Sequence, residues 1–137
     1  MQIHKVIKEQ VIPIRHQVLW PDKPVEFCCL EEDAQGIHWG VFLEDRLVCV
    51  ASIYVERDEA RLRKFATLPE FQRQGIGSAL IRHIIEVLHQ LPVSRLWCDA
   101  RESACAFYQG LGFTRCSDCF YKSDVAYYQM EMVIGLS

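Results

Sequence analysis

No apolar run in this chain approaches the ~20 residues that a membrane-spanning helix requires. The opening MQIHKVIKEQVIPIRHQ lacks the uninterrupted hydrophobic stretch and small-residue cleavage site of a secretory signal. A cytoplasmic protein with no membrane partner is therefore expected. Charge of one sign is not in excess: 15 Lys+Arg stand against 18 Asp+Glu, a net charge of −3. That balance withholds the basic footprint of a nucleic-acid binder, so no nucleic-acid partner is expected. Repeats, low-complexity tracts and linkers are missing, and nothing marks an internal domain boundary.

What is present is a chain of 137 residues, half of them hydrophobic and 24% charged. At that size folding buries roughly two-thirds of the extended surface, enough for a core without metals or disulfides. One domain covering residues 1–137 is expected. The seven cysteines (Cys28, Cys29, Cys49, Cys98, Cys105, Cys116, Cys119) are odd in number. Several lie in apolar stretches such as LVCVAS and RLWCDA, where a free thiol behaves as a small hydrophobe. Without an export signal they are expected to be reduced.

Residues 2–8 read as a strand. Pro13 suits the first turn of a helix, and Ile14, Val18 and Leu19 continue it to Trp20-Pro21. Residues 21–36 look like a surface segment, with Glu31-Glu32-Asp33 as solvated acids. From His38 the period becomes two, and HWGVFLEDRLVCVASIYVER reads as a hairpin turning at Glu44-Asp45. A strand at 60–67 is broken by Leu68-Pro69. Ile76, Leu80, Ile84, Val87 and Leu91, widened by Ile81, Ile85 and Leu88, then form a helical stripe closed by Pro92. A strand at 94–101, a helix from an N-capping Ser103 to Gln109, and strands near 113–120 and 126–134 complete the order. This is an α/β (α+β mixed) domain, and its β-loop-α-β unit at 60–101 carries parallel strands with a right-handed crossover.

The loop Gln72-Arg73-Gln74-Gly75-Ile76-Gly77-Ser78 sits between a strand and the long helix. Free backbone N–H groups and the positive end of the helix dipole converge there, and two glycines let an anion approach closely. Each N–H bond to a charged oxygen is worth about 1.5–3 kcal/mol, so three or four could hold a pyrophosphate. No Gly-Lys-Ser/Thr follows, which excludes a Walker loop. A dinucleotide fingerprint needs a third glycine where Leu80 stands. A lone Gly-x-Gly also serves simply to start a helix.

In context the loop says more. LPEFQRQGIGSAL resembles the Q/R-x-x-G-x-G/A signature of the GCN5-related N-acetyltransferases (GNAT), and AFYQGLGF (106–113) resembles the F-Y-x-x-x-G-F segment of that superfamily. The element order is similar to that fold throughout the chain. The resemblance implies a mixed, mostly antiparallel sheet with one parallel, splayed strand pair and helices on both faces. It implies acetyl-CoA as cosubstrate, no metal, and a small-molecule or peptide amine as acceptor. It places the pyrophosphate on the amides of Gln74, Gly75, Ile76, Gly77 and Ser78, flanked by Gln72 and Arg73. Phe65, Ala66 and Thr67 would pair with the pantetheine arm, and an amide in that stretch would stabilise negative charge on the acetyl carbonyl oxygen.

The acceptor amine attacks directly, which raises two proton problems. An alkyl amine is neutral in only roughly one molecule in two thousand at pH 7, a cost of about 4–5 kcal/mol. Glu59, Asp99, His38 or a water chain is the candidate base. For the leaving thiolate the resemblance offers Tyr108 as the acid. Arg101 stands where many members carry an asparagine that contacts the cofactor, which puts that contact in doubt or replaces it with a phosphate contact. Strand alternation sends Arg61, Arg63 and Phe65 to one face and Leu62, Lys64 and Ala66 to the other. A cation there would suit an acceptor bearing a carboxylate or phosphate, or be simple solvated charge. The rival reading is a non-catalytic CoA- or acyl-CoA-binding module, and a homodimer is left open.

Cys116-Ser-Asp-Cys119 has the spacing of zinc and redox sites. A structural zinc needs four ligands and finds no second pair here, and a thioredoxin-type motif would precede a helix. Trp20, Trp39 and Trp97 fall in apolar surroundings and read as core or cleft walls, not as a base-stacking platform.

Overall fold

A computed structural model describes residues 1–135. The elements are β1 (Gln2–Val6), α1 (Lys8–Leu19), β2 (Ile37–Leu43), β3 (Arg46–Glu56), β4 (Glu59–Thr67), α2 (Ile76–Leu88), β5 (Arg95–Arg101), α3 (Cys105–Gly110), β6 (Thr114–Arg115), β7 (Phe120–Lys122) and β8 (Val125–Val133). Tight 3-10 turns occupy Val25–Cys28, Glu31–Gln35, Pro69–Phe71 and Glu102–Ala104. The strand order is β1-β2-β3-β4-β5-β8-β6, with β7 also on β8. Every register described is antiparallel except β4 with β5. The mixed, mostly antiparallel α/β architecture expected from the sequence is the one found. Among the described residues no helix is long and apolar enough to cross a membrane.

Two compact units make up the chain, residues 1–54 with 62–84, and residues 55–61 with 85 onward. In the first, β1 pairs with β2 from Gln2↔Phe42 to Val6↔His38, and β2 with β3 from Ile37↔Ile53 to Leu43↔Arg46. Glu44 and Asp45 both take left-handed φ, 46° and 67°, as a two-residue hairpin turn demands. Val11, Val41, Val48, Val50, Leu80 and Ile81 are fully buried.

Three expectations for this unit are corrected. Helix α1 begins at Lys8, so Pro13 lies inside it. The Ile7 N–H donates to Gln10 Oε1 at 2.9 Å, which satisfies one start donor. Pro13 forfeits only the bond to the Glu9 carbonyl, close to an exposed first turn. Secondly, the acids at 31–33 are not all solvated, because Asp33 is buried on Arg15 and Glu32 pairs with Arg63 at 3.1 Å. Lastly, α2 stops at Leu88, before Pro92, and leaves Leu91 exposed.

In the second unit, β4 pairs in parallel with β5 over Glu59↔Arg95, Ala60↔Leu96 and Arg61↔Trp97. Strand β5 runs antiparallel to β8 from Arg95↔Val133 to Arg101↔Tyr127. Ala60, Leu96, Cys98, Phe113, Met130 and Ile134 form the core. Ser103 does not cap α3; it lies within the 3-10 turn that leads into the helix. Gly112 closes α3 at φ 105°, with the Phe113 N–H donating to the Tyr108 carbonyl at 3.0 Å. The single strand expected at 113–120 is two short ones, β6 and β7, divided by residues 116–119.

Candidate active site

Why the 72–78 loop takes its shape is legible in its hydrogen bonds. Gln72 Nε2 donates to the Thr67 carbonyl at 3.0 Å, tying the loop to the end of β4. Gln74 Nε2 donates to the Glu70 carbonyl at 3.0 Å. Arg73 and Gly75 both turn through left-handed φ, 61° and 81°. The first helical backbone bond comes from Ala79 N–H to the Gly75 carbonyl at 3.0 Å. Among the described residues, the N–H groups of 73–78 have no intramolecular acceptor. They form the open donor row that a helix N-terminus presents to an anion.

The two glycines differ. A Cβ at Gly75 would meet nothing within 4 Å, so space is open there and only the backbone conformation asks for glycine. A Cβ at Gly77 would lie 2.7 Å from Phe65 Cζ. The absent side chain lets the Phe65 ring rest against the first turn of α2. The structure thus brings Phe65, Ala66 and Thr67 together with residues 72–78. Ala66 is buried, and the Thr67 hydroxyl pairs with Cys49 Sγ at 3.2 Å. A left-handed Lys64 (φ 56°) interrupts the pleat just before them. The expected alternation fails there: Ala60, Leu62 and Ala66 are buried, whereas Lys64 is not and lays its ammonium over the Trp20 ring at 4.4 Å. Arg63 is held by Glu32 at 3.1 Å, so it is not simply solvated charge.

Tyr108 lies in the second unit, on α3, and is 7% exposed. Its ring meets Phe113 edge-on at 5.3 Å, and the Cys98 thiol on β5 is the titratable group that acts most on its hydroxyl. Burial first, then Cys98, pushes the hydroxyl well above the usual tyrosine range, so Tyr108 keeps its proton. Burial likewise pushes the Cys98 thiol up to about 12. Cys98 as the partner of Tyr108 was not foreseen. Arg101, at the end of β5, is exposed.

The three side chains weighed as a base all have partners. Glu59 pairs with Arg95 at 3.4 Å. Asp99 accepts from Arg61 and from Lys122, each at 3.0 Å. His38 is buried, with Nδ1 on Ser52 Oγ at 2.7 Å and Nε2 on the Asp33 carbonyl at 3.0 Å.

That histidine belongs to a buried polar network missed in the sequence. Arg15 is fully buried and donates to Asp33 Oδ2 (2.8 Å) and Oδ1 (3.1 Å), Ser52 Oγ (3.0 Å), Tyr54 Oη (3.3 Å) and the Cys28 carbonyl (3.0 Å). Asp33 also accepts from the Tyr54 hydroxyl (2.5 Å) and the Leu30 N–H (2.8 Å). Burial alone would raise the Asp33 carboxyl, but the Arg15 and Tyr54 hydrogen bonds outweigh it and hold it at about 2. The network fastens residues 28–33 to α1, β2 and β3. Its sequence signal is Arg15 one turn after Val11, on the face that is buried.

The fold and the donor row define a class, and comparison with known proteins names it. An Acetyltransferase (GNAT) domain model matches residues 22–134. The chain is 33% identical over 129 residues to the uncharacterized N-acetyltransferase YitI of Bacillus subtilis (strain 168), covering 88% of this chain and 87% of that protein. It is 41% identical over 71 residues, about half of each protein, to the [ribosomal protein bS18]-alanine N-acetyltransferase of Escherichia coli (strain K12). The crystal structure of the Escherichia coli ribosomal-protein-S18-alanine N-acetyltransferase superposes with TM-score 0.83 at 23% identity, covering 99% of this chain and 95% of that one. An aminoglycoside 6'-N-acetyltransferase complexed with coenzyme A shares the fold at TM-score 0.81 and 13% identity, over 100% of this chain and 99% of that one. The chain belongs to the GNAT acetyltransferase family and is an N-acetyltransferase.

Proposed function

We propose that the protein, working as one domain, moves an acetyl group from acetyl-CoA to a primary amine of a small molecule or peptide by direct attack in a ternary complex. The observation that carries this reading is the open donor row of residues 73–78 next to Phe65–Thr67, in a chain of this family. Gln74, Gly75, Ile76, Gly77 and Ser78 hold the pyrophosphate through their N–H groups, while Gln72 and Gln74 keep the loop in shape with their side chains. Several such bonds, at about 1.5–3 kcal/mol each to a charged acceptor, suffice without a cationic cluster.

The thioester supplies an activated acetyl group. Phe65, Ala66 and Thr67 align the pantetheine arm along β4, and an amide in this stretch faces the oxygen on which negative charge develops. The amine's proton leaves through water, because Glu59, Asp99 and His38 are each already engaged. Tyr108 holds its proton at neutral pH and acts as the acid at the leaving sulfur, its hydroxyl regaining through water the proton that the attacking amine loses, so that free thiol and neutral tyrosine result. No metal takes part in these steps. The test is release of free CoA thiol on a panel of amines with acetyl-CoA. The panel includes a peptide with an N-terminal alanine, because a relative acts on an alanine of a ribosomal protein. Acetylation of at least one amine, confirmed on the product by mass spectrometry, is expected; thiol release that is the same without amine would overturn the reading.

A further inference from the structure

The cysteines divide by exposure. Cys28, Cys49, Cys98 and Cys105 are buried, and burial pushes the Cys49 thiol up to about 11, so these four are chemically quiet. Cys29, Cys116 and Cys119 are exposed. Two of the three lie close in sequence, and strand pairing brings them closer in space. Arg115 pairs with Met130 on β8, and Phe120 pairs with Tyr127. Residues 116–119 therefore stand opposite only 128 and 129.

The Cys116 N–H still donates to the Gln129 carbonyl at 2.9 Å, and the Gln129 N–H donates to Ser117 Oγ at 2.8 Å. The surplus chain thus loops out at Ser117-Asp118. An extended run from Arg115 to Phe120 would cover about 16 Å, whereas the facing stretch of β8 covers about 10 Å. Cys116 and Cys119 are the two feet of that loop, Cys116 bonded to Gln129 and Cys119 next to Phe120, which pairs with Tyr127, and a bond between them needs Cα atoms about 4–7 Å apart. Arg95, from the neighbouring β5, donates to Cys116 Sγ at 3.7 Å. The same guanidinium pairs with Glu131 at 2.6 Å and with Glu59 at 3.4 Å, so it orients Cys116 rather than adding net positive charge there.

We propose that Cys116 and Cys119 form a reversible dithiol–disulfide couple, oxidised by low-molecular-weight disulfides. One cysteine, as thiolate, attacks the external disulfide, forms a mixed disulfide and expels one small thiolate. The other gives its proton to water and attacks the protein sulfur of that mixed disulfide. The Cys116–Cys119 bond forms and a second small thiolate leaves. The protein loses two electrons and two protons, and the external disulfide is reduced to two thiols. The metal- and redox-type spacing, set aside because no helix follows it, gains its geometry from a strand irregularity.

The test incubates the full-length folded protein with glutathione disulfide and maps each cysteine by peptide mass spectrometry under non-reducing conditions. Cys29, exposed beside a buried neighbour, is the internal comparison. The expected result is an internal disulfide between Cys116 and Cys119, reversed by dithiothreitol, while Cys29 carries glutathione. In Cys116→Ser and Cys119→Ser the remaining cysteine of the pair is expected to retain glutathione. Stable glutathione on Cys116 or Cys119 of the unsubstituted protein overturns the proposal, and so does the absence of reaction at both. That arm is decisive by itself and does not depend on any acetyl-transfer assay.

Discussion

Replacing Asp33 with alanine removes one half of a buried ion pair whose side chains are 0% and 2% exposed. Arg15 is left charged in the core, and the Tyr54 hydroxyl and Leu30 N–H lose an acceptor. Breaking such a pair costs about 3–5 kcal/mol. With about 2.1 cal/mol/K of unfolding entropy per residue, a chain of 137 residues has about 0.3 kcal/mol/K. The midpoint of thermal unfolding should therefore fall by about 10–17 °C at pH 7. Differential scanning calorimetry reads it. The double variant Arg15→Met/Asp33→Ala should recover at least half of the loss, because the orphaned charge goes too. The carboxyl titrates at about 2 when folded, against 3.8 for the ordinary group. Its folded value is depressed, so its stabilisation is complete above pH 4 and disappears as pH falls through 2. That window is worth about 2 kcal/mol and should be absent in Asp33→Ala. A midpoint within 2–3 °C of the unsubstituted protein (about 1 kcal/mol), or a double variant no better than the single, would mean that the buried pair does not hold this segment in place.

Three further outcomes bear on the site. Gly77→Ala puts a methyl 2.7 Å from Phe65 Cζ and should cost about 1–3 kcal/mol, with a several-fold loss of acetyl-CoA affinity by titration calorimetry. Gly75→Ala faces open space at φ 81° and should cost only about 1 kcal/mol of strain, with affinity nearly kept; equal effects from the two would contradict the distinct roles assigned to them. Tyr108→Phe should lower kcat about 100-fold or more with acetyl-CoA affinity within two-fold, whereas unchanged turnover would remove Tyr108 from the mechanism.

Much of this molecule can be read from local pattern. The hairpin at Glu44-Asp45, the apolar stripe of α2 and the loop 72–78 follow from periodicity and turn chemistry acting over a few residues. What escaped depends on contacts distant in sequence. Asp33 looks like a surface acid among Glu31 and Glu32 until Arg15, 18 residues earlier, takes it into the core. Pro13 looks like a helix start because the Gln10 side chain that caps Ile7 leaves no apolar trace. The left-handed Lys64 inside β4 and the loop-out at 116–119 are irregularities of strand backbone, to which an alternating pattern is blind. Of the proposed site, the cradle was legible because its chemistry is main-chain. The burial of Tyr108 on Cys98 was not, since it comes from packing between α3 and β5.

Calorimetric titration of the purified protein with acetyl-CoA, with NAD and ATP as controls, shows whether residues 72–78 hold the cosubstrate. Micromolar or tighter binding of acetyl-CoA, lost in Gly77→Glu and not matched by NAD or ATP, is the predicted result. No heat of binding with acetyl-CoA, or equal binding of all three, would contradict it.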